Sequence, residues 1–400
     1  MSMSENENEI IVAGAGTGEF THEVSEALNE SDVVLSSSRF IKLIPQGKKI
    51  IPLKGINESL SQLEHEDGRK LILLSGDPCI YSLLPMIKQR FMNIRVLPGI
   101  SSLQVLCARA CESWNDAIIL SGHGRTLRAG TFLNIVERNR LVILLCDKNI
   151  SPKWACDNLI HIHGELEVFI GCNLGSDDEH VFHGKPEEFM CHEFPELSLI
   201  LIKNHDVYVP VNLHIRDSEF IRESKIVMTN EAVRSVILSR LNINHDSVLW
   251  DIGAGSGSIS ISSGHAQINA EIHAIEYKHE AADLISRNAS RFHVHNVIIH
   301  EAHALSVLHT LPTPTHIFIG GTEGELSGIL EFISHMNRPV HVMIACVTLE
   351  TFNIAYETLK DWNNFEAMQV SINTSKQLNP SMTLINASNP VMLLSAIHNV

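Results

Sequence analysis

The stretch at residues 247–258, SVLWDIGAGSGS, contains the residue types of a nucleoside-binding loop. An apolar run ends at Asp251, and glycines follow at alternate positions. Because glycine has no Cβ, such a loop can turn tightly and let a ligand approach the main chain closely. A second acidic residue, Glu276, ends the next apolar run. A carboxylate in that place can accept hydrogen bonds from both hydroxyls of a ribose.

The order of these residues favours S-adenosylmethionine (SAM) over a dinucleotide. The spacing differs from the G-x-G-x-x-G fingerprint that seats a pyrophosphate, and an acidic residue precedes the glycines. A glycine-rich turn without a ligand is the alternative for an isolated loop, but the succession of strand, loop, helix, strand and Glu276 favours a ligand. The predicted cofactor contacts here are Asp251, Gly253, Ala254, Gly255, Gly257, Ser258 and Glu276.

The elements that must position these residues follow an alternating pattern. Short β-branched runs alternate with amphipathic stretches, which predicts α/β domains with parallel strands and crossover helices. Strands dominate after about residue 112, so the first domain is predicted to have two lobes. Since each domain carries its own glycine-rich loop, each is expected to fold and react alone. The predicted organisation is a polar tail at 1–8, a first domain at 9–203 (lobes about 9–112 and 113–203), a linker at 204–224 and a second domain at 225–400.

Composition and charge exclude several classes of protein. The chain has 400 residues, 30 of them basic and 46 acidic, and its formal net charge of −16 argues against a wholly basic nucleic-acid-binding surface. No apolar run approaches the ~20 residues needed to span a bilayer. The polar N-terminus, MSMSENENEI, lacks the pattern of a signal peptide. Eight cysteines without a C-x-x-C pair fit a reduced, cytoplasmic protein better than a disulfide or zinc framework.

No metal site and no nucleophilic triad are predicted. Four histidines lie close together in the sequence without a carboxylate or cysteine at ligand spacing, so a polar surface is the simpler interpretation. These are His293, His295, His300 and His303. No Ser-His-Asp order is legible. Neither feature is needed, because SAM carries an electrophilic methyl and its transfer requires mainly alignment and the exclusion of water.

Residues 225–335 resemble a known family. The segments KIVMTNEAVR, VLWDIGAGSGS, RNASRFHVHNV and HIFIGGTEGEL together resemble the decarboxylating precorrin methyltransferases of cobalamin biosynthesis. The resemblance implies a Rossmann-like class I methyltransferase fold. Two positions depart from the family: Asn230 replaces a usual lysine, and His303 stands where an aspartate usually faces the adenine of SAM. The residues implied to line the substrate are Thr229, Gly320, Gly321 and Thr322.

Residues 9–203 resemble the tetrapyrrole methylase family. The segments VAGAGTGEF, SGDPCIY and PGISS carry this resemblance by their order and spacing, and SGHGR with Asn173-Leu174-Gly175 resembles its CbiE-type branch. Each segment alone is typical of a turn or of a capped helix start. The family implies SAM bound between two α/β lobes, and Thr17 stands where the family usually has proline. The implied cofactor contacts are Gly14, Gly16, Gly18, Gly76, Asp77, Pro78, Ser101 and Ser102, and the implied substrate contacts are His123 and Arg125.

A CbiE-like domain followed by a CbiT-like domain resembles the family of fused methyltransferases that act on precorrin-6Y. The resemblance implies methylation of C5 by the first domain, and methylation of C15 with loss of CO2 from the ring C acetate by the second. It also implies precorrin-8 as the product and a homo-oligomer; the cobalt content of the substrate stays open. Because the substrate is a polycarboxylate and the chain is acidic, Arg125, Arg128 and Lys225 are predicted to face the clefts.

Three other functions are alternatives for this sequence. An RNA methyltransferase would have a basic face with interleaved aromatic residues, whereas the 22 aromatic residues here are spread along the chain. A nicotinamide-dependent dehydrogenase would carry the missing G-x-G-x-x-G fingerprint. A non-catalytic SAM-binding protein that keeps both folds is the third alternative, and it is compatible with the departures at Thr17 and His303.

Overall fold

The computed structural model describes residues 9–123, 126–209 and 214–398. Contacts between Cα atoms divide the chain into two compact units. The first contains the residues up to Leu127 together with Asn139–Val207, and the second contains Arg128–Arg138 together with Tyr208–Val400. The second unit therefore includes a segment that the sequence analysis assigned to the first domain. No helix in the described ranges is long and apolar enough to cross a membrane.

A parallel five-stranded sheet and four helices form the first part of the first unit. They are β1 Ile10–Gly14, α1 His22–Glu30, β2 Val33–Ser36, β3 Lys49–Pro52, α2 Ile56–Glu64, β4 Lys70–Leu74, α3 Leu84–Arg90, β5 Ile94–Leu97 and α4 Ser102–Arg109. The strand order is β3-β2-β4-β1-β5. The central strands β1 and β4 read IIVAG and KLILL, which are apolar except for Lys70 at the start of β4 and suit a sheet covered on both faces. Because β1 lies between β4 and β5, the loops after these three strands adjoin at the carboxyl edge.

A second, mixed sheet completes the first unit. Its strands and the helices between them are β6 Ile118–Ser121, α5 Ala129–Arg138, β7 Leu141–Leu145, α6 Pro152–Leu159, β8 Leu166–Cys172, β9 His180–Gly184 and β10 Ser198–Asn204. The order is β6-β7-β10-β8-β9, and only β6 and β7 pair in parallel. Each of the two predicted lobes thus contains one sheet. The helix α5, which connects β6 to β7, groups with the second unit.

The second unit is a twisted, mostly parallel sheet flanked by helices. Its elements are α7 Glu231–Leu241, β11 Val248–Ile252, α8 Ser258–Ala266, β12 Glu271–Glu276, α9 His279–Arg291, β13 Val297–Glu301, α10 Ala304–Val307, β14 His316–Ile319, α11 Leu326–Ser334, β15 Val340–Cys346, α12 Leu349–Leu359, β16 Asn363–Val370, β17 Asn373–Asn379, β18 Met382–Ala387 and β19 Val391–His398. The order is β13-β12-β11-β14-β15-β19-β16, with β19 antiparallel to both neighbours, and β17 and β18 form a separate exposed hairpin. The predicted α/β class is confirmed.

Helix α5 is held in the second unit by buried polar contacts. The side chain of Asn134 is fully buried. Its Nδ2 donates to Asn296 Oδ1 at 3.1 Å and to the carbonyl oxygen of Ile268 at 3.2 Å, and its Oδ1 accepts from the main-chain N–H of His295 at 3.1 Å. The carboxylate of Glu137 lies 2.6 Å from a ring nitrogen of His293 and 2.6 Å from one of His295. The helix is thus an integral part of this unit.

The amide of Asn134 is expected to contribute to the stability of the second unit. Replacing it with alanine leaves one donor, the N–H of His295, and two acceptors, Asn296 Oδ1 and the carbonyl oxygen of Ile268, without this partner. Asn134→Ala should therefore lower the free energy of unfolding by about 1–3 kcal/mol. The control is Asn158→Ala in α6, because the Asn158 amide donates to the carbonyl oxygen of Trp154 in its own helix. Urea unfolding with hydrogen exchange read at residues 293–296 measures both variants. Equal protection in the two variants would contradict the assigned role of Asn134.

Candidate functional site

A cleft of about 340 Å³ opens in the second unit at the carboxyl ends of β11, β12 and β14. It brings together most of the residues that the sequence analysis predicted for this half of the chain. Gly257 and Ser258 do not line the cleft, because Gly257 caps α8 and Ser258 is buried in the first turn of that helix. The predicted residues that line it are Thr229, Asp251, Gly253, Ala254, Gly255, Glu276, His303, Gly320, Gly321 and Thr322, together with Lys225.

The glycine-rich loop is packed against neighbouring main chain. A Cβ added at Gly253 would lie 2.0 Å from the carbonyl oxygen of Gly321, and one added at Gly255 would lie 2.7 Å from that of Val227. Both glycines also have φ values in the left-handed region, +71° and +56°. Any side chain at either position would therefore push the cleft walls apart. Gly257 has a different role, since its Cβ would meet Ile285 of α9 at 2.9 Å.

Two carboxylates, those of Glu276 and Asp251, lie at this loop and differ in their hydrogen-bond partners. Glu276 Oε2 accepts from the N–H of Gly255 and Oε1 from that of Lys278, both at 3.0 Å, so the carboxylate is held in place before any ligand binds. Asp251 Oδ2 accepts from the N–H and the hydroxyl of Ser260, at 3.0 and 2.5 Å. Its buried Oδ1 has no hydrogen-bond partner among the described residues.

The environment of Asp251 disfavours its charge. Burial raises the pKa of Asp251 to about 6; the hydrogen bonds from Ser260 oppose the shift and the charge of Glu276 adds to it. A cation placed in the cleft would interact favourably with the ionised carboxylate and so favour its deprotonation. The cleft therefore has an oriented acceptor at Glu276 and a second carboxylate whose charge responds to what is bound.

An aromatic pair forms one wall of the cleft. The ring of His303 stacks on that of Tyr277, with centroids 4.7 Å apart and planes 24° apart. Lys278 Nζ lies 5.1 Å from the Tyr277 centroid and 3.2 Å from Glu323 Oε1. The sequence analysis missed Tyr277, although its place directly after Glu276 is a usable signal. Flat side chains of this kind can pack against a planar ring of a ligand.

A buried arginine fixes the segment that carries Thr229. The guanidinium of Arg234, in α7, donates to the carbonyl oxygens of Thr229 at 2.9 Å and Ile215 at 2.6 Å, and to Asp217 Oδ1 at 2.9 Å. It also lies 4.9 Å from the centre of the Phe220 ring. Arg234 is thus a positioning residue for the wall of the cleft, and sequence analysis recorded it only as part of a motif.

The first unit contains a second cleft of about 390 Å³. Both sheets of this unit contribute to it, as was implied by the tetrapyrrole methylase resemblance. Gly14, Gly18 and Pro78 do not line it, and Arg125 lies outside the described residues. The predicted residues that line the cleft are Gly16, Gly76, Asp77, Ser101, Ser102 and His123.

Three glycine loops meet beneath this cleft. A Cβ added at Gly14 would lie 2.5 Å from the carbonyl oxygen of Gly76 and 2.6 Å from the nitrogen of Gly99. Gly16 and Gly76 donate main-chain hydrogen bonds to each other, at 3.2 and 2.9 Å. Ser101 caps α4 through a capping box with Gln104, so the third loop is held as well. The sequence analysis missed Gly99, whose contacts are with residues far away in the chain.

Thr17, which stands where the family usually has proline, packs against Gly175. A Cβ added at Gly175 would lie 2.2 Å from the Thr17 Cβ, so the threonine occupies space that only a glycine at 175 leaves open. Arg128, by contrast, was predicted to face a cleft and lines neither. Its Nε lies 2.7 Å from Glu271 Oε2, and it donates to the carbonyl oxygen of Asn269 within the second unit.

Comparisons with known proteins match both halves of the chain. The family model described as "Precorrin methyltransferase domain" matches residues 220–398, and "Tetrapyrrole (Corrin/Porphyrin) Methylases" matches residues 9–189. A precorrin-6Y C(5,15)-methyltransferase (decarboxylating) from Sinorhizobium sp is 28% identical over 79% of this chain and 78% of its own. A probable cobalt-precorrin-6B C(15)-methyltransferase (decarboxylating) from Pyrobaculum calidifontis is 34% identical over 46% of this chain and 94% of its own. The chain belongs to the precorrin methyltransferases.

Solved structures resemble each half of this precorrin methyltransferase. The crystal structure of precorrin-6y C5,15-methyltransferase from Geobacter metallireducens is 34% identical, with a TM-score of 0.43, and covers 45% of this chain and 96% of its own. That of the precorrin-6Y methylase from Archaeoglobus fulgidus is 19% identical, with a TM-score of 0.41, and covers 50% of this chain and 99% of its own. The family expected from the sequence motifs is thus confirmed by the family models and the relatives.

The three-glycine contact in the first unit can be tested at Gly99. A Cβ there would lie 2.5 Å from the carbonyl oxygen of Gly76 and 2.7 Å from that of Gly14, so Gly99→Ala should separate the loops. We expect faster hydrogen exchange at the amides of Gly16 and Gly76, and a loss of about 1–3 kcal/mol in unfolding free energy from overpacking. The control is Gly55→Ala, whose Cβ would meet Glu58 at an ordinary 3.6 Å. Unchanged exchange in Gly99→Ala would show that the loops tolerate the added methyl.

Proposed function

We propose that this precorrin methyltransferase is bifunctional. It methylates C5 and C15 of precorrin-6Y, or of its cobalt form, with SAM as methyl donor, and removes CO2 from the ring C acetate to give precorrin-8. The observation that carries the proposal is the presence of two separate glycine-walled clefts, one in each unit, in a chain whose Sinorhizobium relative is named for both methylations.

In the second unit, the proposed cofactor contacts follow from the charges of the cleft. Glu276, with both oxygens already oriented by main-chain N–H groups, accepts from the ribose hydroxyls. The unpartnered Oδ1 of Asp251 faces the cationic end of the cofactor. The Tyr277–His303 pair packs beside the adenine. When bound, SAM supplies an electrophilic methyl, and the residues need only align it with an electron-rich ring carbon and exclude water.

The substrate side of this cleft is proposed to lie across the glycine turn from the cofactor. Thr229, held through its carbonyl oxygen by Arg234, and Thr322 line the cleft with hydroxyl groups. Lys225 also lines it, and no ion pair of its ammonium group is present in the described part of the chain. Lys225 is therefore the proposed contact for a substrate carboxylate. Assignment of C15 methylation and CO2 loss to this unit is supported by relatives such as the Pyrobaculum protein, which match only part of this chain and are named for that step.

In the first unit, the main chain of the glycine loops is proposed to contact SAM. Gly16 and Gly76 line the cleft as a hydrogen-bonded pair, and Ser101 and Ser102 line it at the capped start of α4. A helix N-terminus and close main-chain approach suit polar ligand groups. His123 lines the same cleft and is the proposed substrate contact. This unit is assigned the methylation of C5.

Product mass separates the two activities. An arginine at position 255 or 16 places a side chain where SAM is proposed to approach the main chain. Each variant should therefore abolish the methylation that is assigned to its own cleft. Gly16→Arg should yield a product that has lost CO2 and gained one methyl, and Gly255→Arg should abolish CO2 loss and C15 methylation. The control is Gly47→Arg, a left-handed glycine with open space around it that lines neither cleft. A doubly methylated product from Gly16→Arg would refute the assignment of the first unit.

Cofactor affinity in the second unit should depend on pH through Asp251. Its carboxyl has a pKa of about 6, so the negative charge that attracts the cationic cofactor is present above that pH and lost below it. We expect SAM to bind the Gly16→Arg variant about 10-fold more weakly at pH 5 than at pH 7.5, because about nine-tenths of the carboxyl is protonated at pH 5. Calorimetric titration measures the affinity. Asp251→Asn in the same background should bind weakly at both pH values; a wild-type-like slope in it would rule out Asp251 as the titrating group.

A further inference from the structure

The cleft of the first unit contains one full cation that the sequence analysis did not single out. Arg39 lines this cleft from the turn that follows β2. In the strand order β3-β2-β4-β1-β5, β2 lies on the far side of β4 from β1 and β5. The glycine and serine loops follow β1, β4 and β5, so Arg39 stands at the opposite end of the row from Ser101.

The guanidinium of Arg39 is available to an anionic ligand. The guanidinium has no ion-pair or hydrogen-bond partner in the residues that the structure describes, and it lies 5.4 Å from the centre of the Phe40 ring. Phe40 is itself buried in the core of the sheet, so the turn that carries Arg39 is anchored. A guanidinium that is exposed, anchored and unpaired is well suited to bind a planar, bidentate anion.

The rest of the lining explains which anion fits. Much of the cleft wall is aliphatic, with leucines from both sheets, such as Leu73 and Leu199, and Leu103 from α4. The carboxyls of Asp77 and Glu196 and the imidazole of His123 also line it, together with the phenol of Tyr81 and the thiol of Cys146. A polycarboxylate with an apolar macrocycle would pack its ring on the aliphatic wall. The two carboxyls and the net charge of −16 repel its acidic arms, which leaves Arg39 as the point of attraction.

We propose that Arg39 binds a carboxylate side chain of the tetrapyrrole and thereby determines how the substrate enters the cleft of the first unit. This inference rests on the proposed function. SAM also has a carboxylate, and the same guanidinium could bind that group instead. A neutral side chain at position 39 distinguishes the two. It would weaken the affinity for the tetrapyrrole if Arg39 binds the substrate carboxylate, and the affinity for the cofactor if Arg39 binds the carboxylate of SAM.

The test compares Arg39→Gln with Lys42→Gln, two variants with the same change in net charge. Lys42 is exposed and does not line the cleft. Losing a charge-assisted, bidentate contact should lower kcat/KM for C5 methylation by about 10- to 100-fold, mainly through KM. Arg39→Lys should have a kcat/KM between those of the wild type and Arg39→Gln, since lysine keeps the positive charge but cannot form the bidentate contact. Lys42→Gln should match the wild type, and C15 methylation with CO2 loss, measured by product mass in the same reaction, is the internal control.

Binding of S-adenosylhomocysteine to the first unit distinguishes the outcomes. It is measured by titration in the Gly255→Arg background, and we expect the same affinity with arginine or glutamine at 39. A loss of that affinity with an unchanged KM for the tetrapyrrole would overturn the inference in favour of the cofactor carboxylate. Equal kcat/KM in Arg39→Gln and Lys42→Gln would overturn it as well. If Gly16→Arg still methylates C5, the proposed function fails and this inference with it.

Discussion

Main-chain atoms of neighbouring loops approach each other across glycines in both units, and the shape of each cleft depends on that approach. Parallel strands lie about 4.8 Å apart, so the loops that leave their carboxyl ends have little room between them. Gly253 against Gly321 in one unit, and Gly14 against Gly76 and Gly99 in the other, leave no space for a Cβ. At these glycine contacts the clefts are therefore bounded by main chain, whose position does not depend on side-chain rotamers.

The two clefts share this construction but differ in their electrostatics. The second unit places two carboxylates directly at its glycine loop: Glu276, oriented by main-chain N–H groups, and Asp251, whose pKa is raised to about 6 by burial. The first unit uses paired main-chain groups at Gly16 and Gly76, and its wall is largely aliphatic. A reaction that needs alignment more than proton transfer is compatible with either arrangement.

The part of this architecture that is local in sequence could be predicted, and the part that depends on distant contacts could not. The alternation of strand, glycine loop and carboxylate predicted that Gly255 and Glu276 share one cleft, because each ends or follows a neighbouring parallel strand. Arg39 gave no such signal, since it follows a strand without a motif. Thr17 was taken as a departure because the family usually has proline there. The space that Gly175, more than a hundred positions away, leaves for the threonine is visible only in the folded chain.

Charge was the least predictable property. Arg128 and Arg39 are both arginines near chemically interesting segments, and only folding decides that Arg128 is paired with Glu271 while Arg39 has no partner within the described residues. Asp251 was predicted from its position in the glycine motif, but its raised pKa follows from complete burial and from the nearby Glu276, neither of which the sequence states.

Helix α5 gives the chain an unusual connectivity. Because residues 128–138 group with the second unit while the strands on either side group with the first, the polypeptide passes from one unit to the other three times: at 127–128, at 138–139 and at 207–208. A gene split or a protease cut in the segment 204–224 would therefore not release two complete globules. The carboxyl-terminal fragment would lose α5, and with it the partners of Asn296, His293 and His295. A separate protein that kept these contacts would have to carry that helix as well.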